Sequence, residues 1–171
     1  STLNITNNTN EIVEIHPDIA NLGTGASEGF GSRFEVGGSI GDFYTSMYKR
    51  DAQGRIEMDS GVPLKTADPV LAGNAEPDVS LGWANNFNIG ENLSVGFIIN
   101  AKIGGKVFSQ TESMLDGNGV SLRSGQARDA GSLTVNAVQG GAAVTSADPE
   151  LWFKAIGDRN GIGEPYIYDR T

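Results

Sequence analysis

Apolar and polar residues alternate most regularly in the middle of the chain. In Val79–Ile89 and Leu93–Ile103, apolar residues occupy nearly every second position, and only Asn85 and Ile98 are out of phase. Successive side chains of a strand point to opposite faces, so each stretch is predicted to form a strand with one apolar face. The segment Gly-Glu-Asn at 90–92 predicts a tight turn between them. The pattern therefore predicts one long antiparallel hairpin.

The length and apolar content of this hairpin favour contact with lipid. Each strand spans about 36 Å, which at a ~45° tilt approaches the ~25 Å apolar band of a membrane barrel, whereas strands in globular proteins average about 5–6 residues. About ten large apolar side chains, at ~1.5–3 kcal/mol each, amount to ~15–30 kcal/mol of burial, more than the ~5–15 kcal/mol stability of a domain. The rest of the chain offers few apolar runs to cover the face. A soluble sandwich strand with one face on a core is the alternative.

The predicted fold class is mainly β, with antiparallel hairpins from a large transmembrane β-barrel and long extracellular loops that carry short helices. Bacterial barrels have short periplasmic turns and long extracellular loops, so the 90–92 turn is assigned to the periplasmic side. Residues 79–103 then form the transmembrane hairpin. The stretches at about residues 10–78 and 104–165 are predicted to be extracellular loops.

Both ends of the chain carry short strand-like patterns. Thr2–Thr6 alternates weakly and is predicted to end an ascending strand, while residues 166–168 are predicted to begin a descending one. Residues 1–171 are therefore expected to be a single barrel fragment, truncated at both ends.

Local signals divide the first long stretch. Residues 41–49 are predicted to form a strand, and residues 51–54 a turn into the strand-like segment 55–58, which gives a second, polar hairpin. Residues 59–77 contain three prolines and are predicted to be irregular.

The second long stretch carries two predicted helices. Residues 109–115 form a short one, and residues 148–157 a better defined one. Asp148 is predicted to cap its free N–H groups, Pro149 suits its first position, and Gly157 is predicted to end it in a left-handed conformation.

Composition narrows the class of protein. The 24 glycines disfavour a helical bundle. The net charge of -9 disfavours nucleic-acid binding, which needs clustered Lys and Arg. The chain has no cysteine, so disulfides, thiolate metal sites and cysteine nucleophiles are excluded. No apolar run is long enough for a membrane helix, but barrel strands need none.

Several short motifs occur in order along nearly the whole chain. The most specific is Gly-Asn-Ala-Glu-Pro-Asp at 73–78, followed by Leu-Gly-Trp at 81–83. A glycine-containing segment at 36–44 and an Arg-Asp-x-x-Gly-Arg-Ile turn at 50–56 precede it. The later motifs are Gly104-Gly105-Lys106-Val107, Thr111-Glu112, Leu115-Asp116, Gly119-Val120-Ser121 and Ala127-Arg128-Asp129-Ala130-Gly131. In this order they resemble the later barrel region of SusC-like, or RagA-like, TonB-dependent outer-membrane receptors.

The resemblance implies import across the outer membrane of a Gram-negative bacterium. It implies a large barrel in outer-membrane lipid, an N-terminal plug, energy supplied through TonB, and a SusD-like surface lipoprotein as lid. The substrates of this family are usually oligosaccharides and sometimes peptides. The plug and the TonB-contacting segment have no counterpart here, so the fragment is expected to have no activity of its own. A soluble β-rich carbohydrate-binding module or an adhesin domain is the alternative function, and an enzyme is not expected.

Three aromatic residues are the candidate substrate-binding residues. Tyr44, Tyr48 and Trp152 lie in predicted extracellular loops, and aromatic faces stack on sugars. Local packing is the alternative role for them.

No catalytic residue, metal ligand or cofactor site is predicted. The single histidine, His16, is expected to lie on the surface, and Glu112 and Asp116 are expected to lie on a solvated helix face. The glycine-rich segment 23–29 lacks dinucleotide and P-loop spacing and is predicted to be a mobile loop.

Overall fold

The chain is described by a computed structural model that covers residues 1–19, 22–24 and 30–170. Most of the predicted glycine-rich loop, residues 25–29, lies outside the described residues. The strands are β1 (Thr2–Thr6), β2 (Leu22–Thr24), β3 (Phe30–Phe34), β4 (Asp42–Thr45), β5 (Ile56–Asp59), β6 (Val62–Pro63), β7 (Val70–Asn74), β8 (Val79–Ile89), β9 (Leu93–Ile103), β10 (Lys106–Phe108), β11 (Leu133–Gln139), β12 (Ala142–Ala147) and β13 (Ile167–Asp169). The helices are α1 (Gln110–Gly117), α2 (Leu122–Asp129) and α3 (Pro149–Ile156), with a short 3-10 helix at Glu164–Tyr166. The predicted mainly β class is confirmed.

The predicted long hairpin is confirmed with its predicted boundaries. β8 and β9 pair antiparallel along their whole length, from Val79 opposite Ile103 to Ile89 opposite Leu93. Gly90 begins the turn with a φ of 66°, a left-handed conformation that glycine adopts without a steric cost. β1 pairs antiparallel with the other edge of β8, which gives a three-stranded sheet in the order β1-β8-β9.

A second sheet shows that the predicted polar hairpin is only partly correct. Its strand order is β2-β3-β4-β7, so β4 pairs with β3 and β7 and not with β5. Close to the predicted turn the chain does double back, because Arg50 pairs with Ile56 and the Asp51 N–H donates to the Arg55 carbonyl at 3.0 Å. Close to the turn, Lys49 still pairs with β5, because its carbonyl accepts the Glu57 N–H. The earlier part of the predicted arm, Asp42–Thr45, instead forms β4 in the β2-β3-β4-β7 sheet.

The prediction that residues 59–77 are irregular is wrong for two segments, β6 and β7. β7 pairs antiparallel with β4, with Thr45 opposite Val70. Pro69 immediately precedes β7, outside the paired residues, where its missing N–H removes no ladder bond. The strand forms because a distant strand supplies its hydrogen-bond partners.

A third sheet joins distant parts of the chain in the order β12-β11-β5-β6. β11 and β12 form an antiparallel hairpin around Gly140 and Gly141, whose φ values of 57° and 85° suit a two-residue turn. β5 runs parallel to β11, with Ile56 opposite Ala137. The sheet is therefore mixed, and the antiparallel pattern predicted for the whole chain does not extend to this pair.

Both predicted helices are present, and α3 has the predicted start but a different end. The Asp148 carboxylate accepts the Leu151 N–H at 3.0 Å, and Pro149 is the first helical residue. Gly157 has a φ of −88°, so the predicted left-handed end is wrong. Glycine is required there because α1 ends against it: a Cβ on Gly157 would lie 2.2 Å from the Gly117 nitrogen. No described helix is long and apolar enough to span a bilayer.

One hydrophobic core lies between the third sheet and the helices. α3 packs against α1, α2 and β6, and the 3-10 helix packs against α1. The core draws on both long stretches, since Met58 comes from the first and Tyr166 from the second. We call the β12-β11-β5-β6 sheet, the three helices and this core the packed region. Its buried members are Met58, Ala127, Ala137, Ala147, Trp152, Phe153, Ile156, Ile162 and Tyr166.

Candidate functional site

The β1-β8-β9 sheet, which we call the open sheet, has one continuous apolar face. Leu3 lies opposite Trp83, and Trp83 lies opposite Ile99, so the alternation of all three strands is in phase. Residues directly opposite one another share a face of the sheet. The apolar face comprises Leu3, Ile5, Val79, Leu81, Trp83, Phe87, Ile89, Leu93, Val95, Phe97, Ile99, Ala101 and Ile103.

This apolar face is not covered by the described part of the chain. Ten of its side chains are exposed, among them Ile5 at 65%, Ile99 at 52% and Phe87 at 49%. None of the buried core residues belongs to β1, β8 or β9. Soluble monomers rarely expose contiguous apolar patches larger than a few hundred Å². Such a face marks contact with lipid, with detergent or with another protein layer.

Aromatic rings form the centre of the apolar face. Phe97 contacts Trp83 edge to face with ring centroids 5.3 Å apart, and it contacts Phe87 at 6.1 Å. The Trp83 indole N–H donates to the Ser1 hydroxyl at 3.0 Å, so the polar edge of the ring is satisfied. Asn85, which is out of phase, lies opposite Phe97 on the same face and is half-buried.

The opposite face of the open sheet is polar and rich in amides. Gly96 lies opposite Asn86, and a Cβ on Gly96 would lie 2.2 Å from the Asn86 side-chain oxygen, so the glycine leaves room for the amide. Ile98 is the apolar exception and is 71% exposed. The residues of this face are Thr2, Asn4, Thr6, Ser80, Gly82, Ala84, Asn86, Asn88, Ser94, Gly96, Ile98, Asn100 and Lys102. The sheet is therefore amphipathic, with two faces of opposite character.

The three predicted substrate-binding aromatics are in different surroundings. Trp152 is 5% exposed and belongs to the core, and Tyr48 packs on it with ring centroids 5.8 Å apart. Burial, followed by the nearby charge of Glu164, raises the pKa of Tyr48, so its phenol is neutral. Of the three, Tyr44 lines a groove. Substrate contact by these residues stays a prediction.

The groove beside Tyr44 has a volume of about 360 Å³ and lies on the β2-β3-β4-β7 sheet. Gly31 lies opposite Tyr44 on the neighbouring strand, so no side chain flanks the ring there. The Arg33 guanidinium lies over the Tyr44 ring at 5.5 Å from its centroid. Burial, followed by the charges of Glu35 and Asp42, raises the pKa of Tyr44.

The expectation that Glu112 and Asp116 lie on a solvated helix face is wrong. Asp116 is fully buried and accepts hydrogen bonds from Arg123 Nε at 2.8 Å and from the Tyr166 hydroxyl at 3.0 Å. Glu112 is half-buried and lies 3.6 Å from an Arg123 nitrogen. Burial and the Asp116 charge raise the pKa of Tyr166. Both carboxylates are engaged with a structural cation, so the pair does not form an open acid–base site.

Glu112, Asp116, Arg123 and Tyr166 form a cluster, which we call the Asp116 cluster. In the sequence, the four-residue spacing of Glu112 and Asp116 was its one visible sign. Arg123 lies over the rings of Tyr166 and Phe153, at 5.2 and 5.9 Å from their centroids. These residues come from α1, α2, α3 and the 3-10 helix. The cluster therefore connects the helices of the packed region.

His16 has the predicted surface position, with a side chain that is 66% exposed beside Asp18. Among residues 1–19, 22–24 and 30–170, no group of three or more potential metal ligands comes together. No family model and no curated protein matches the sequence. The functional interpretation therefore depends on the geometry of the open sheet and on the motifs in the sequence.

Proposed function

We propose that the chain forms part of the wall and the external loops of an outer-membrane β-barrel transporter of the SusC-like type. In this proposal the parent protein imports oligosaccharides or peptides together with a SusD-like lipoprotein, with energy supplied through TonB. The observation that carries the proposal is the uncovered apolar face of the open sheet. The long paired strands, the polar second face and the ordered motifs support it.

The dimensions of the open sheet support a membrane crossing. β8 and β9 each have 11 residues. Membrane strands need about 9–11 residues at a tilt near 45°. Lipid-facing and lumen-facing residues alternate in such strands, as apolar and polar residues do here.

The edges of the open sheet also support membership in a larger wall. β9 is the last strand in the order β1-β8-β9, so its outer edge has no strand partner among the described residues. In a bilayer each unsatisfied backbone group costs several kcal/mol, which only a closed barrel avoids for strands. Further strands of a parent barrel would satisfy this edge.

The connections of the hairpin support the predicted orientation. The short turn at 90–92 lies at one end. At the other end, Gly105 approaches the chain that leads into β8, and a Cβ on it would lie 2.7 Å from the Glu76 carbonyl oxygen. The packed region is connected through this second end. Long connections belong on the extracellular side of bacterial barrels, which agrees with external loops built from residues 10–78 and 104–165.

Lipid quenching of the two tryptophans tests the proposal. Trp83 lies on the apolar face and Trp152 in the core, so Trp152→Phe and Trp83→Phe leave one reporter in each place. The full chain is reconstituted with phospholipids that carry brominated acyl chains, which quench indoles they contact. We expect strong quenching of Trp83 and little of Trp152. Near-ultraviolet circular dichroism checks that each variant keeps its packed region.

A detergent-free monomer whose Trp83 is not quenched by brominated lipid, and which binds neutral glycans, would support the soluble carbohydrate-binding module instead. Equal quenching of both tryptophans would show that the core itself opens in lipid, which also contradicts the proposal.

A further inference from the structure

The groove beside Tyr44 combines an aromatic ring with cations, and its charge is unusual for this chain. Its cationic residues are Arg33 and Lys65, and no Asp or Glu is among its described lining residues, although Glu35 pairs with Arg33 and accepts a hydrogen bond from the Tyr44 hydroxyl just outside the lining. The whole chain has a net charge of -9, so the lining of this groove is more positive than the chain as a whole. Two other grooves each combine cations with carboxylates: Lys154 and Arg159 with Asp158, and Lys106 and Arg170 with Glu76, Asp78 and Asp169.

Arg33 has hydrogen-bonding capacity that its neighbours do not use fully. Its Nε lies 2.5 Å from a Glu35 carboxylate oxygen, but without the alignment of a hydrogen bond. Among the described residues, this Nε is the one buried side-chain nitrogen or oxygen without a hydrogen-bond partner. Guanidinium groups bind carboxylates and sulfates through paired N–H donors. Because the Nε is buried against Glu35 while the Arg33 side chain is 32% exposed, the remaining N–H groups of the guanidinium are the ones that could donate to an anionic ligand.

Lys65 is the second cation of the groove. Its ammonium donates to the Asn160 carbonyl oxygen at 2.5 Å. An ammonium has three donors, so this contact leaves capacity for a ligand. The contact also holds the Lys65 side chain in place, which reduces the entropy cost of binding.

Ring-to-ring packing supports the aromatic wall of the groove. Phe30 lines it and stacks on Phe108 with ring centroids 4.5 Å apart, and it meets Phe43 edge to face at 5.2 Å. Tyr44 has Gly31 opposite it on β3 and Leu71 opposite it on β7. A volume of about 360 Å³ falls within the ~300–1,000 Å³ typical of small-molecule sites. An aromatic wall beside cations suits a sugar ring that carries an acidic group.

We propose that this groove binds an acidic saccharide, with Arg33 and Lys65 holding its carboxylate or sulfate and Tyr44 contacting the sugar ring. This deepens the proposed transport function, on which it rests for its biological role, by naming the charge class of the cargo. In that role the groove is an external capture site, because its lining residues belong to the predicted extracellular stretches 10–78 and 104–165.

Calorimetry on the full chain, in the detergent or lipid in which it is folded, tests this inference. The probes are trigalacturonate, neutral trigalactose, which matches it apart from the carboxylates, and sodium sulfate. We expect trigalacturonate to bind at least ~10-fold more tightly than trigalactose, with affinity that falls as salt increases. Sulfate should bind weakly and compete with trigalacturonate.

Substitutions of residues that line the groove test whether trigalacturonate binds there. Arg33→Gln, Lys65→Gln and Tyr44→Ala should each weaken trigalacturonate binding by roughly 10-fold, because each removes one direct contact. Lys154→Gln, which removes an exposed charge from a different groove, should change nothing. Arg33→Lys keeps the charge and should give an intermediate affinity, and it also replaces Arg33→Gln if that variant does not fold.

Three outcomes would overturn the inference. These are equal affinity for trigalacturonate and trigalactose, full binding by the Arg33 and Lys65 variants, or an equal loss with Lys154→Gln. The lipid-quenching result for Trp83 is independent of all three. A failed proposal for the groove and a failed proposal for the membrane are therefore distinguishable.

Discussion

The open sheet and the packed region use apolar side chains in opposite ways. Trp152 is 5% exposed inside a core of helices and strands, whereas Trp83 is 39% exposed on the apolar face of a sheet that no described part of the chain covers. The same chain thus closes one region around its own side chains and leaves the other open. The packed region encloses its large apolar side chains, whereas the open sheet exposes a continuous set of them, as expected of a face that contacts another apolar surface.

The largest effect on unfolding free energy is expected from a substitution of Arg123, which should destabilise the packed region and leave the open sheet unchanged. Arg123→Met leaves the fully buried Asp116 without its cation, which should destabilise the packed region by about 3–5 kcal/mol. Urea unfolding followed by Trp152 fluorescence in a Trp83→Phe background measures the loss. Trp83 fluorescence in a Trp152→Phe background should report an unchanged open sheet, and a matching loss there would contradict the separation of the two regions.

A smaller effect is expected where α1 and α3 meet. Gly157→Ala places a methyl group against the Gly117 backbone and should cost about 1–3 kcal/mol of unfolding free energy. Gly125→Ala is the matched control, because in α2 the added Cβ would meet nothing closer than Arg128 at 4.0 Å. The control should stabilise the helix by about 0.5–1 kcal/mol. Equal changes in both variants would show that the close contact is not needed.

Removing the cap of α3 should have a moderate effect. Asp148→Ala deletes the acceptor for the Leu151 N–H and should cost about 1 kcal/mol in urea unfolding of the packed region. Asp158→Ala makes the same charge change at an exposed position and serves as the control. If the two variants lose the same stability, net charge and not the cap is responsible.

The smallest effect is expected for an exposed ion pair between β10 and β13. Because β10 directly follows β9, we call this strand pair the junction between the open sheet and the packed region. Lys106 Nζ lies 2.7 Å from an Asp169 carboxylate oxygen, with both side chains well exposed, so Lys106→Gln should cost about 0–1 kcal/mol. Asp169→Asn should give the same small change, and the double variant should add nothing further. A loss above this range would mean that the junction is held by charge and not by strand pairing.

The open sheet was predictable from sequence because its signal is local. Nearly regular alternation over Val79–Ile89 and Leu93–Ile103 predicted both strands and the turn, and the Asp148 and Pro149 signals predicted the start of α3. These features depend on residues close in sequence, where intrinsic preferences decide the conformation.

The packed region and the β2-β3-β4-β7 sheet were harder to predict because their structures depend on distant partners. β7 exists through pairing with β4, and the burial of Asp116 depends on Arg123 and Tyr166, the latter 50 residues away. The role of Gly157 likewise depends on Gly117 in another helix. For the candidate sites, the apolar face followed from alternation, whereas the charge of the Tyr44 groove required knowing which strands meet.

Ile98 and Ile99 allow the most direct test of the proposal that the apolar face of the open sheet contacts lipid. They are neighbours on β9, they are 71% and 52% exposed, and they lie on opposite faces of the open sheet. In liposomes, Ile99→Lys should lose about 2–4 kcal/mol of folding stability, because it places a charge in the hydrocarbon, whereas Ile98→Lys should change it by less than about 1 kcal/mol. Equal effects of the two substitutions, or none from Ile99→Lys, would contradict the claim that this face meets lipid.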